Sequence, residues 1–341
     1  MKPSILAAID EVSLTGDGNV AGAAEESERQ GYPLFENPFS IEDIEVFDEE
    51  TLRSILSGNF GVALSDLAVS LRAAPWSLLC SIREHLSPDQ WVTFLWDSRR
   101  PLPPDEVEAA RRRVLDDLFW ELIYWKMPEL YEELTMGERI HPGIFQALEP
   151  NIRDAVVLDA GAGSGRASFE SLRHGASRVY AVEPSPGLLN ILRRKLSALP
   201  EEQRRIIPLQ GSFEHLPLED DSVDLALSCS AFTAEAGQGG EAGLTELKRV
   251  TKPGGKIALI WPRVEDRGWL MAHRFHYVAL PLHEEMYVHF RSLQDALCCT
   301  RLFYAHNPAV ARYLLTRQQP DVPFSVLGFN PPHDYCWLIV K

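Results

Sequence analysis

The chain has 341 residues, of which 45% are hydrophobic and 24% charged, and a formal net charge of −16. That length leaves material for two cores, and the mixture is that of a globular protein. Thirteen acids stand against only Lys2 and Arg29 in the first fifty residues, so most of the negative charge lies there and no long basic stripe of the kind a nucleic-acid binder carries is evident. No apolar run approaches the roughly 20 residues of a membrane span. Asp10 and Glu11 break the short apolar start, so export and membrane insertion are not expected. The five cysteines (Cys80, Cys229, Cys298, Cys299, Cys336) show no paired framework and no C-x-x-C spacing, which predicts reduced thiols and a cytoplasmic setting.

Residues 1–50 combine glycines, small polar residues and acids with little apolar surface. They read as an acidic, largely flexible leader, although the aromatics of "GYPLFENPFSIEDIEVF" could dock on a neighbour. Residues 51–134 read as a helical module, with Leu52, Ile55 and Leu56, then Leu64, Leu67, Ala68 and Leu71, then Leu78, Leu79 and Ile82 spaced three and four apart. Ser87-Pro88-Asp89 and Pro103-Pro104 punctuate that pattern as helix starts. The basic runs "ARRRV" (110–114) and "LRRKL" (192–196) read as solvated helix faces. From "LRSILSGNFGVALSDLAVSLRAAPWSLLCSIREHLSPDQWVTFL" to "RPLPPDEVEAARRRVLDDL", residues 50–120 resemble the helical C-terminal module of the flagellar motor switch protein FliG. The resemblance implies a compact all-α unit with a protein partner.

Residues 135–341 read as a second domain. Strand-like "AVVLDA", "RVYAVEP", "RIIPLQG", "VDLALSCS" and "KIALIWP" alternate with helical stretches, the pattern of a parallel sheet covered on both faces. No repeat with a period of about 20 to 50 residues is evident. The tail, 265–341, adds helical "RSLQDALCCTRLFY" and "NPAVARYLL" and strand-like "YCWLIVK". It is expected to complete the sheet, with the last strand closing its edge, and to complete the acceptor pocket.

The first strand runs into Asp159-x-Gly161-x-Gly163-x-Gly165, and the second ends on Glu183. A dinucleotide turn would have a third small residue where Arg166 stands, and no Gly-Lys-Ser/Thr follows, so the NAD and P-loop readings fail. With "VVLDAGAGSG", "VYAVEPS", "GSFEHLPLEDDSVD", "LALSCSAF" and "LKRVTKPGGKIALI" in order, residues 150–263 resemble the class I S-adenosylmethionine-dependent methyltransferases. The resemblance implies a Rossmann-like α/β sheet with helices on both faces, and S-adenosyl-L-methionine as cofactor. It further implies that Gly161, Ala162, Gly163 and Gly165 let backbone approach the methionine end, oriented by Asp159. Glu183 and Pro184 would then meet the ribose, Ser212 and Phe213 the adenine, and Cys229 and Ser230 the methyl-transfer path. Ser212 departs from the family's usual loop acid.

Methyl transfer is an in-line displacement that needs a base only when the acceptor keeps its proton, so no catalytic residue need be visible. Tyr131 and His141 are the candidates, in the segment before the first strand. His273, His276, His283 and His289 match no zinc spacing, so no metal is expected. Cys298-Cys299 reads as core, and "FNPPHDY" as a double-proline turn before the last strand. The favoured reading is transfer to a small or medium-sized metabolite. RNA or protein methylation, and a scaffold with a non-catalytic cofactor domain, stand as alternatives.

Overall fold

This computed structural model describes residues 37–201 and 204–341. Most of the acidic leader, and with it most of the flexibility expected there, lies outside the described residues. Its last part is packed: Ile41 and Ile44 of the 3-10 turn Ile41–Val46 are buried together with Phe39 and Phe47 on either side of it. They join Leu52, Ile55, Leu67, Leu71, Leu78 and Ile82 in a single apolar cluster.

The helices carrying that cluster begin where the sequence supplies a cap. Asp48 accepts from the Thr51 amide at 2.9 Å to open Glu49–Leu56. Ser87 and Gln90 form a reciprocal capping box at Pro88–Arg99, and Pro104 occupies the first turn of Pro104–Asp117, where its missing N–H costs nothing. The basic runs do more than face solvent. Arg111 donates to the carbonyls of Ser70 and Arg72, and Arg113 makes a bidentate pair with Asp66 at 2.7 and 2.8 Å. Lys195 reaches both Glu132 and the Ser164 carbonyl, tying the glycine turn to the helix Pro128–Gly137.

The sheet is seven-stranded, in the order β3-β2-β1-β4-β5-β9-β6. Its strands are β1 (Val156–Ala160), β2 (Arg178–Glu183), β3 (Ile206–Gln210), β4 (Val223–Cys229), β5 (Thr251–Ile260), β6 (His276–Ala279) and β9 (Asp334–Ile339). β1 to β5 run parallel, and β9 is antiparallel to both β5 and β6. The last strand is therefore not the closing edge. β6 takes the edge, where exposed His276 and Tyr277 tolerate solvent, while Tyr335 and Cys336 of β9 are buried inside. Pro253-Gly254-Gly255 falls within β5, with a register shift opposite Val223 to Leu225. The topology switches between β1 and β4, so the carboxyl ends of β1, β2 and β4 open on one crevice.

Between β6 and β9 the tail makes a separate layer. A two-stranded sheet of β7 (Tyr287–His289) and β8 (Asp321–Pro323) and the helices Leu293–Phe303 and Pro308–Arg317 bury Val288, Cys299, Leu314 and Phe324 against Leu134. Leu302 of this layer also enters the apolar cluster of the N-terminal helices.

Ile44 is fully buried at the heart of that cluster. Ile44→Ala is expected to cost about 2–5 kcal/mol of stability, read as a lower urea midpoint. An unchanged midpoint would mean that residues 37–50 do not pack as described.

Candidate functional site

The crevice is built by what happens at the ends of β1 and β2. Gly161 and Gly163 take left-handed backbone (φ +69° and +55°), which only glycine adopts without strain. Four of the turn's amides are spent inside the protein. Gly161 and Ala162 both donate to the Val182 carbonyl at 2.9 and 3.0 Å, Gly163 donates to Glu183 Oε2 at 2.9 Å, and Gly165 donates to the Ala162 carbonyl at 2.9 Å. Ser185 donates to the other Glu183 oxygen at 2.9 Å. A phosphate-binding turn needs such amides free.

Around the turn lies a cleft of about 460 Å³. Its walls carry six carboxyl groups, with Glu121, Glu138, Asp159 and Glu183 around the turn and Glu214 and Glu235 beyond it, and an aromatic side made by Trp120, Tyr124 and Tyr131. Tyr124 and Tyr131 meet edge-on at 4.7 Å, and Trp120 stacks flat on Phe303 of the tail at 5.4 Å. Burial pushes Glu183, Glu138 and Glu121 up to about 7 and Asp159 up to about 6. Asp159 Oδ2 accepts from the Ser168 hydroxyl at 2.6 Å, but the buried Oδ1 has no partner. The two cations on the lining are committed: Arg166 donates to the Glu138 carbonyl at 2.9 Å and the Thr135 carbonyl at 3.4 Å, pairs with the Glu138 carboxylate at 3.6 Å and has its other nitrogen 3.6 Å from Cys229 Sγ, while Arg263 pairs with Glu235 and Asp266.

Of the residues singled out in the sequence, Tyr131, Asp159, Gly161, Ala162, Gly163, Glu183, Pro184, Ser212, Phe213, Cys229 and Ser230 line this cleft. Gly165 does not; it caps the helix Arg166–Arg173 with φ +98°, its Cα packed towards Leu192. His141 also stands away from the cleft. Its ring accepts from the Gly143 amide at 3.2 Å to start the helix Pro142–Ile152, and its own amide donates to the Pro332 carbonyl. Burial pushes the pKa of the Tyr131 hydroxyl and of the Cys229 thiol up, so both keep their protons at neutral pH. The tail supports the cleft from behind: no described residue after Arg263 lines it, while Phe303 backs Trp120 and Tyr304 sits beside Glu138. Among the described residues no group of three or more His, Cys, Asp or Glu is placed to hold a metal.

Glu121, Glu138 and Arg166 were not singled out as site residues. Glu121 had a legible signal, a lone acid inside the apolar run Phe119-Trp120-Glu121-Leu122-Ile123-Tyr124-Trp125. Arg166 was read only as the residue that spoils a dinucleotide turn.

Residues 158–259 match the family described as Methyltransferase domain. The crevice belongs to a methyltransferase domain. An uncharacterized methyltransferase of Mycobacterium tuberculosis is 36% identical over 119 residues, 33% of this chain and 43% of that protein. The malonyl-acyl-carrier-protein O-methyltransferase of Yersinia pestis is 39% identical over 102 residues, 30% of this chain and 34% of the relative. The dimethylglycine N-methyltransferase of Parasynechococcus marenigrum is 29% identical over 157 residues, 40% of this chain and 55% of the relative. A solved S-adenosylmethionine-dependent methyltransferase from Aquifex aeolicus is 23% identical with a TM-score of 0.29, over 36% of this chain and 73% of that one. The chain spans under half the length of the mycobacterial relative it matches.

The cleft of the methyltransferase domain suits S-adenosylmethionine on three counts. Space over Gly163 is open, since a side chain there would meet nothing within 4 Å. The orphaned Asp159 Oδ1 wants a donor, which an ammonium supplies. Carboxylates without free cations favour a positively charged ligand over a phosphate.

Two measurements follow. Gly161→Ala would place a Cβ 2.5 Å from that of Ala231, in backbone already at φ +69°, so the variant should melt lower and lose affinity for S-adenosylhomocysteine. For Glu183 the folded value lies above the ordinary one, so its contribution to stability is fully present below the usual carboxylate range and is lost as pH rises through about 7. Glu183→Gln, which stays neutral, should therefore gain in melting temperature relative to the wild type between about pH 5 and pH 8. A constant difference would remove the buried charge from the account.

Proposed function

We propose that the protein is an S-adenosylmethionine-dependent methyltransferase acting on a small or medium-sized metabolite. The observation that carries this reading is a glycine turn in which the amides of Gly161, Ala162, Gly163 and Gly165 are already occupied, facing a cleft lined by carboxyl groups. That environment favours a cationic nucleoside and disfavours a phosphorylated one. Asp159 would hold the ammonium end, Glu183 the ribose hydroxyls, and the backbone of Gly161 to Gly163 the methionine chain. Bound there, the cofactor supplies a methyl group already activated by its sulfonium. The chain's own work is then alignment, worth up to about 7–11 kcal/mol of barrier in favourable cases. Trp120, Tyr124 and Tyr131 wall one side against water, and Lys195 and Arg166 fix the helix Pro128–Gly137 against the turn.

A small acceptor is supported by the size of the cleft and by the lack of a long basic stripe for a nucleic acid. One relative is named for dimethylglycine, itself a small acceptor. Five free thiols support a cytoplasmic setting, and among the described residues no helix is long and apolar enough to cross a membrane. The N-terminal helices have their own apolar cluster, which supports a small all-α unit. The resemblance of residues 50–120 to the motor-switch module rests on helix spacing, and with it the suggestion of a protein partner. In our reading this unit's main task is to wall the cleft.

Calorimetry should detect S-adenosylmethionine and S-adenosylhomocysteine, and Glu183→Ala should weaken both by about 1–3 kcal/mol. Transfer of labelled methyl to an extracted metabolite fraction is the expected activity. Label appearing on RNA or protein instead would change the acceptor class, binding without any transfer would favour a scaffold, and no binding would end the proposal.

A further inference from the structure

We propose that Glu50 and Glu121, both from the chain N-terminal to the sheet domain, read the purine of the cofactor in place of the acid missing from the loop after β3. The inference rests on the methyl-donor reading above. A second cavity, of about 300 Å³, adjoins the first and shares Glu121, Pro184, Ser212, Glu214 and Gly237 with it. The common wall thus runs from the residue after Glu183 to the loop after β3. A nucleoside whose ribose rests on Glu183 needs room for a base, and this second cavity provides it.

An adenine presents one strong donor, its exocyclic amino group, and selective recognition requires an acceptor for it. Ser212 stands where the loop would supply one, but its hydroxyl donates to Glu50 Oε1 at 3.4 Å. Glu50 is held in place by its own helix start. Asp48, which caps that helix, accepts from Gln210 Nε2 at 3.3 Å, and the same amide reaches the Pro184 carbonyl at 3.4 Å. The helix Glu49–Leu56 is therefore pinned to the end of β3. Of the other acids on the shared wall, Glu214 is already taken by the Gly239 amide at 3.2 Å.

Glu121 is the complementary case. It faces both cavities and makes no hydrogen bond or ion pair with any described residue. In its ionised form a carboxyl group accepts only, so the selection is that of the protein above neutral pH. Two such carboxylates at the 6-position, one anchored on Ser212 and one without a partner, suit the amino group of an amino-purine, whereas a 6-oxo-purine turns an acceptor towards them there and carries its donor on N1 instead. The cofactor would then be gripped between the N-terminal helices and the sheet, and would hold the two together.

The probes are S-adenosylhomocysteine and S-inosylhomocysteine, which differ in the 6-substituent and in the proton the oxo form carries on N1, titrated calorimetrically into the full chain. The wild type should prefer the amino form by more than about tenfold. Glu50→Gln and Glu121→Gln, whose amides both donate and accept, should each erode that preference, and the double variant should lose about tenfold of it or more. Ser212→Ala keeps both acids but releases Glu50, and should give an intermediate loss without disturbing either helix. Melting curves establish that each variant is folded. An unchanged preference in the folded double variant and in Ser212→Ala overturns the inference while leaving the methyl-donor reading intact. Failure of the wild type to bind either probe overturns both.

Discussion

The Glu183 carboxylate, accepting the Gly163 amide on one oxygen and the Ser185 amide on the other, is the constraint on which the rest of the site depends. It locks the turn after β1 to the turn after β2, so two loops that belong to different strands become one rigid lip. Burial makes the arrangement electrostatically expensive. With Glu121, Glu138 and Asp159 close by, the cleft gathers buried acids whose charged forms are costly, and among the described residues only Glu138 of these four has a cation beside it, Arg166 at 3.6 Å. A ligand that brings positive charge relieves that cost, and the same feature that strains the empty protein selects what it binds.

The walls of the cleft come from parts of the chain far apart in sequence. Trp120, Glu121, Tyr124 and Tyr131 arrive from the N-terminal helices, and Phe303 of the tail stacks behind Trp120. Leu302 enters the N-terminal cluster, and Leu134 the tail's cluster. Each layer therefore buries apolar surface of the other, and their shared boundary passes the aromatic wall. The basic side chains strengthen the same joints. Lys195 and Arg166 clamp the helix Pro128–Gly137 to the glycine turn through carbonyl oxygens and acids rather than facing a charged ligand.

The sheet was legible because its signals are local. Each parallel strand is a short apolar run bounded by turn residues, and the intervening helices show their period in the sequence. Asp159, the glycines and Glu183 were legible for a similar reason, since each sits at a strand end where the change of pattern marks it. Glu138 and His141 show the limit. Only three residues apart, in a segment with no strong period, they point to different places: one into the cleft, the other into a helix cap and the double-proline turn of the tail. β9 is a further case, because the run "YCWLIVK" announces a strand but does not say whether it takes the edge or inserts beside β5.

By itself, then, the sequence determined the alternation of strands and helices, the helical character of the N-terminal half, and the glycine turn flanked by two acids. These are set by backbone conformation and near-neighbour periodicity, which neighbouring residues encode. Only the tertiary structure decided that the amides of Gly161, Ala162, Gly163 and Gly165 are spent, that Glu121 and Glu138 join the two expected carboxyl groups, and that Glu50 lies beside Ser212. Those facts depend on which distant surfaces bury one another, and burial fixes both the partners of a polar group and the charge it can carry.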